Sequence, residues 1–199
     1  MIGDEIEALE RHDAMSIATQ TVSADELDQF PDDGKRREVI GGELHVSPAP
    51  SRTHQELSAH LLFLLYGAIV QPCAGMVYAA PVDVRFSGVD QVRPDLLAIR
   101  RERLGIYRGH TVHGAPDIVV EILSPSNPAY DEVEKRRLYA AGGVPEYWIV
   151  DPEARRMTIL RLTGEEYHVV EPVDGNVRSE SIVDFAIDPS ELFARLTAE

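Results

Sequence analysis

Two carboxylates stand where carboxylates are expensive. Asp95 follows Pro94 and precedes Leu96-Leu97-Ala98-Ile99, and Glu121 interrupts Ile118-Val119-Val120 and Ile122-Leu123, the most apolar run of the chain. An acid inside such a strand costs on the order of several kcal/mol unless it is paired or coordinated. Two acids on neighbouring strands would form an oxygen-rich pocket, the ligand set that magnesium or manganese takes. The alternative is that Glu121 lies at a sheet edge or pairs with a buried arginine, with Arg93 as the available partner. Residue type and position alone leave both readings open.

Lys135 is the third element. It follows Glu121 across a loop, on a helix that also carries Asp131, Leu138 and Tyr139. Four residues of strand beyond Glu121 span roughly 13 Å, and six residues of helix span roughly 9 Å. A helix folding back over the sheet therefore sets Lys135 near the depth of Glu121. Asp, Glu and Lys around one ion suit phosphodiester hydrolysis. The acids hold the ion, the ion polarises the phosphate and acidifies its water, and the lysine orients that water or stabilises developing charge. A surface pair between Asp131 and Lys135 at i, i+4 is the plainer reading of the lysine.

The elements that must position these residues follow from pattern. Ser23-Ala24-Asp25-Glu26 reads as a capping box opening a short helix that ends near Phe30. Strand-like runs on either side of Gly41-Gly42 read as a hairpin. Thr53-His54-Gln55-Glu56 reads as a second capping box, and Leu57, Leu61, Leu64, Leu65, Ala68 and Ile69 recur at helical spacing from about 53 to 70. Val77 to Phe86 and Val92 to Ile99 read as strands, and 100–114 as a basic loop or short helix. Asp117 to Leu123 reads as a strand buried on both faces. A helix over about 130–141 stops at Gly142-Gly143. Strands follow at Glu146–Val150, Met157–Leu162 and Tyr167–Val170, and Asp188-Pro189 caps a C-terminal helix. Residues 1–21 read as a loosely ordered extension and 22–199 as one domain of mixed α/β (α+β) type.

Composition bounds the partners. The chain has 199 residues and a formal net charge of -15, from 34 acidic and 19 basic residues. Nucleic-acid binding ordinarily draws on a basic footprint, so an acidic chain must rely on a local patch, on metal ions or on a partner. The basic residues do cluster, as in Lys35-Arg36-Arg37 and Lys135-Arg136-Arg137, but runs of this length are ordinarily solvated surface. The single cysteine, Cys73, excludes an intrachain disulfide. No apolar run is long enough to span a bilayer, and Met1 to Glu10 lacks the pattern of a signal peptide, so a soluble cytoplasmic protein is expected. No histidine pair has metal-ligand spacing, no glycine-rich phosphate loop is present, and Ser124 lacks a nucleophile elbow. Tyr147 and Trp148 read as core or as a dimer contact, and the apolar side chains of that strand suggest a homodimer.

At these same residues the chain resembles a known family. Val92-Arg93-Pro94-Asp95-Leu96, Ala115 to Ser126, Asp131 to Lys135 and Gly143 to Pro152 are similar to the Uma-two family of restriction endonucleases. Glu38 to Leu44, Ser47-Pro48 and His54 extend the likeness, which covers roughly 22–195. The resemblance implies a fold of the PD-(D/E)XK nuclease superfamily: a restriction-endonuclease-like mixed β-sheet flanked by helices, here with an N-terminal helix and β-hairpin. It implies Asp95 and Glu121 as ligands of Mg2+ or Mn2+, and an endonuclease acting on DNA. The chain departs from the superfamily pattern at Leu123, where a lysine would stand; Lys135 would take that part. Glu38 and His54 are secondary candidates, the first reaching the site from the hairpin, the second otherwise an exposed residue in a first helical turn. Two other functions stand beside this one: a non-catalytic regulatory or protein-binding dimer on a nuclease fold, and a phosphodiesterase for small nucleotides, which needs no basic groove.

Overall fold

The computed structural model describes residues 21–31, 33–124 and 130–197. In chain order the elements are helix α1 (Ala24–Leu27), strands β1 (Arg36–Ile40) and β2 (Glu43–Ser47), and helix α2 (Arg52–Leu65), which continues as a π-helical turn over Tyr66–Val70. Strands β3 (Gly75–Ala79), β4 (Asp83–Arg85), β5 (Gln91–Val92) and β6 (Leu96–Arg100) follow, then a 3₁₀ turn (Arg101–Ile106) and strands β7 (Tyr107–Arg108), β8 (Thr111–His113) and β9 (Ile118–Ile122). A π-helical turn (Tyr130–Lys135) runs into helix α3 (Arg136–Gly142). The chain closes with β10 (Glu146–Asp151), β11 (Arg156–Thr163), β12 (Glu166–Val169), β13 (Val177–Arg178), β14 (Ala186–Ile187) and helix α4 (Pro189–Ala194). The expected extension over 1–21 lies, apart from Thr21, outside the described residues.

Pro81 and Pro94 decide the architecture. Each run read as one strand, Val77 to Phe86 and Val92 to Ile99, is two strands in different sheets, because a proline cannot donate to a ladder and marks the place where the chain leaves it. One mixed sheet has the order β2-β1-β5-β4-β8-β7 and the other β12-β11-β10-β9-β6-β3. In the second, β9 and β10 are parallel and their neighbours antiparallel. The fold is α+β, as expected, with its strands divided between two mixed sheets.

Hydrophobic alternation stacks the layers. One face of the second sheet, with Leu96, Ala98, Ile118, Val120 and Trp148, packs on Leu57, Leu61 and Leu65 of α2 and on Leu192 and Phe193 of α4. The opposite face, with Leu97, Val119, Tyr147 and Leu160, meets Leu138 and Tyr139 of α3 and Val84, Val92 and Val112 of the first sheet. Tyr147 and Trp148 are wholly buried within this chain, so the apolar surface from which a dimer was expected is core.

Two helix starts bear on the site. Ser23 and Glu26 form the expected capping box. At α2 the cap is Ser51, two residues earlier than read, and its side chain accepts from the His54 amide at 3.2 Å. That places His54 inside the first turn, at a fixed rotation toward the sheet.

Candidate active site

The site forms where the chain crosses between the two sheets. The β6–β9 pairing sets Leu96 opposite Val120 and Leu97 opposite Val119. Continuing that register by one residue brings Asp95 opposite Glu121. Both then share the face of Leu97 and Val119, since side chains alternate with period two. The first sheet brings Arg36 and Glu38, two apart on β1 and so on one face of it. The helical segment brings Asp131, Lys135 and Tyr139 at successive i, i+4 positions, and α2 brings His54.

The contacts are specific. Arg36 bridges the two acids: its Nη1 lies 2.8 Å from Asp95 Oδ1 and its Nη2 lies 3.1 Å from Glu121 Oε2. Asp95 Oδ2 accepts from the Ile122 amide at 2.8 Å and lies 3.1 Å from His54 Nε2. Glu121 Oε1 accepts from Lys135 Nζ at 2.9 Å and from the Tyr139 hydroxyl at 2.6 Å. Lys135 also reaches Glu38 at 3.0 Å and Asp131 at 3.3 Å, and Glu38 Oε1 accepts from the Arg93 amide at 2.7 Å. Glu38, Asp95, Glu121 and Lys135 are at most 3% exposed, whereas the Arg36 side chain is 22% exposed.

Four carboxylates thus share two permanent cations, Arg36 and Lys135. The shortage of positive charge shows in the titration of the acids. Burial pushes Glu121 up to about 7, against the pull of Lys135 and Arg36 and with the repulsion of Asp95 and Asp131. Burial likewise raises Asp131. Asp95 goes the other way: burial alone would raise it, but the His54 hydrogen bond and the Arg36 charge hold it at about 2. Lys135 and Arg36 outweigh burial at Glu38 and lower it. Polar atoms without a hydrogen-bond partner among the described residues gather here too: Glu38 Oε2, Arg36 Nε, His54 Nδ1, His45 Nε2 and the Tyr130 hydroxyl. His45 stacks on Tyr130, and the Tyr130 ring lies under Lys135 Nζ.

All five residues singled out in the sequence meet in this cluster: Asp95, Glu121, Lys135, Glu38 and His54. Three expectations about them are corrected. His54 is not an exposed first-turn residue, because Asp95 lies against its ring. The Asp131–Lys135 pair exists but is buried, because the helix folds back over the acids. The arginine that reaches Glu121 is Arg36, not Arg93, whose side chain pairs with Asp83 at 2.9 Å. Arg36 itself was passed over as one of a solvated basic run, and so was Arg37, which is 6% exposed and held by Asp33. The signal for Arg36 was available: two residues before Glu38 on a hairpin strand is the same face. Tyr139 had the same kind of signal, since i+4 from Lys135 is the same helix face.

The donor set fits a magnesium-type ion. Such ions take oxygen ligands and are commonly held by one or two carboxylates, with water and substrate phosphate completing the shell. Asp95 and Glu121 present two such carboxylates, in a cluster with surplus negative charge and an orphaned carboxylate oxygen on Glu38. Among the described residues no group of three or more Asp, Glu, His or Cys side chains is arranged to hold an ion by itself, so water and substrate would have to complete the shell around two carboxylates.

A crystal structure from Anabaena variabilis ATCC 29413, described as "a putative nuclease belonging to DUF820", matches with a TM-score of 0.76 over 87% of this chain and 98% of that one, at 18% sequence identity. At that identity the likeness is one of fold, an α+β fold that the two proteins share. Residues 24–189 match the family Uma2, described as "Putative restriction endonuclease". The chain belongs to that family. A search of curated proteins finds no match. The family supports a nuclease. Among the described residues no helix is long and apolar enough to cross a membrane.

Proposed function

We propose that the protein is a metal-dependent endonuclease that hydrolyses phosphodiester bonds of DNA, with Mg2+ or Mn2+ held by Asp95 and Glu121. The observation that carries this reading is the convergence of four buried acids on only two permanent cations, at the crossing point of two sheets. Bound there, the ion would supply Lewis-acid polarisation of the phosphate and a more acidic water. The chain's own residues prepare the place. His54 and the Ile122 amide fix Asp95 Oδ2, and Lys135 and Tyr139 fix Glu121 Oε1. Lys135, 1% exposed and engaged with three acids, acts as a positioning residue beneath the site. That differs from the direct part expected of it, contact with water or phosphate.

Calorimetric titration of Mn2+ into wild type and Asp95→Ala, with plasmid nicking measured alongside, tests the proposal. Wild type binds the ion and nicks; Asp95→Ala binds at least about tenfold more weakly. Equal affinity in the two proteins overturns the proposal. A second reading, a non-catalytic module in which the acids serve as structural ion pairs, draws support from the Arg36 bridge and the net charge of -15. It predicts neither ion binding nor nicking.

A further inference from the structure

Of the four carboxylate oxygens of Asp95 and Glu121, the two left for an ion are those that Arg36 holds. Asp95 Oδ2 is engaged by His54 and the Ile122 amide, and Glu121 Oε1 by Lys135 and Tyr139. What remains is Asp95 Oδ1 and Glu121 Oε2, each bound to one terminal nitrogen of the Arg36 guanidinium. Magnesium sits about 2.1 Å from its oxygens. An ion shared by these two atoms would occupy the volume of that guanidinium.

Arg36 is also the most exposed of the charged side chains that meet the two acids. Its side chain is 22% exposed against 1% for Lys135. Its Nε has no hydrogen-bond partner among the described residues, so the side chain is tied to the acids by its tip. Its third contact, Glu38 Oε1 at 3.4 Å, is the longest of the set. An arginine on a flexible stem can swing its fork outward without disturbing the strand that carries it.

We infer that Arg36 is a displaceable counter-ion, which holds Asp95 and Glu121 together in the metal-free protein and yields the place between them to the entering divalent ion. The inference rests on the proposal that these two acids bind a metal. In the metal-free state the centre is self-blocked: the acids are neutralised from within and closed to other cations. Once the ion is in place, the guanidinium fork is released at the solvent side of the site, in a geometry that suits phosphate oxygens.

Calorimetry with Mn2+ on wild type, Arg36→Met and Arg36→Lys tests the competition. Arg36→Met, which cannot contest the site, is expected to bind Mn2+ about tenfold or more tighter than wild type. Arg36→Lys, whose ammonium reaches one acid at a time, falls between the two. If wild type binds and both variants bind equally well or more weakly, Arg36 is a fixed part of the centre and the inference fails while the metal site stands. If none of the three binds, the metal site fails and the inference with it. A measurement on wild type alone keeps the test sound should the variants misfold. Phenylglyoxal labelling of Arg36, mapped by peptide mass, is expected to speed up several-fold on adding Mn2+; unchanged or slower labelling overturns displacement.

Discussion

Lys135→Met removes the deepest positive charge of the site and keeps a side chain of similar length. In the native protein this ammonium lies 2.9 Å from Glu121, 3.0 Å from Glu38 and 3.3 Å from Asp131. Removing one partner from a buried ionic cluster costs about 3–5 kcal/mol, because the remaining charges stay desolvated without compensation. Loss of the contact over the Tyr130 ring adds about 0.5–2 kcal/mol at most. The acids can escape the penalty by taking protons, so the cost must depend on pH. Lys135 pulls down Glu38, Glu121 and Asp131 against their burial, so in the variant all three are expected to rise. A carboxylate raised in this way favours folding at low pH, and that contribution is lost as pH rises through the raised value. Urea denaturation at pH 5 and pH 8 measures both limbs. The expected cost relative to wild type is about 3–5 kcal/mol at pH 8 and less than about 2 kcal/mol at pH 5. An equal cost at the two pH values, or one under about 1 kcal/mol at pH 8, would refute the view that Lys135 is the counter-ion of three acids.

Wild type should itself lose stability as pH rises. Glu121 moves from an unfolded value of 4.5 to about 7, so its contribution is complete below pH 4.5 and lost through pH 7, a fall of about 3 kcal/mol by urea denaturation. Mn2+ in excess should flatten that fall by binding the ionised form, and a fall identical with and without the ion would count against an ion at Glu121. Asp95 runs the opposite way: held at about 2 against 3.8 unfolded, it stabilises above pH 3.8 and loses about 2 kcal/mol as pH drops through 2, visible as an acid limb that His54→Ala moves upward. Gly75→Ala would set a methyl against the Ile99 carbonyl across the β3–β6 pair, where backbone cannot yield, and should cost about 1–3 kcal/mol in the same assay. Glu146→Gln should cost about 2–4 kcal/mol, because an amide cannot accept all four hydrogen bonds that this buried carboxylate takes from Trp148, Ser179, Glu180 and Ser181; faster proteolysis within 177–187 would report the loosened segment.

Much of the site was legible before any coordinates, because burial of charge leaves a mark in sequence. Glu121 inside an otherwise apolar strand and Asp95 after Pro94 announce themselves as acids that need a cation. The helical repeat from Leu57 to Ile69 and the hairpin around Gly41-Gly42 follow from periodicity and turn chemistry, which are local. The same local signals placed Lys135 within reach of Glu121 by counting rise per residue.

What tertiary structure alone decided is who neutralises those acids. Hydrogen bonds and ion pairs over separations such as Arg36 to Glu121 or His54 to Asp95 leave no periodicity, and a basic triplet looks the same whether its middle residue meets water or two buried carboxylates. The division of each long strand into two sheets belongs to the same class: Pro81 and Pro94 were visible, but that the chain changes sheet at each was not. Composition and pattern determined that this chain carries charge into its core. The docking of one sheet on another determined where that charge is answered, because electrostatic partnership is settled by distance in space and not by distance along the chain.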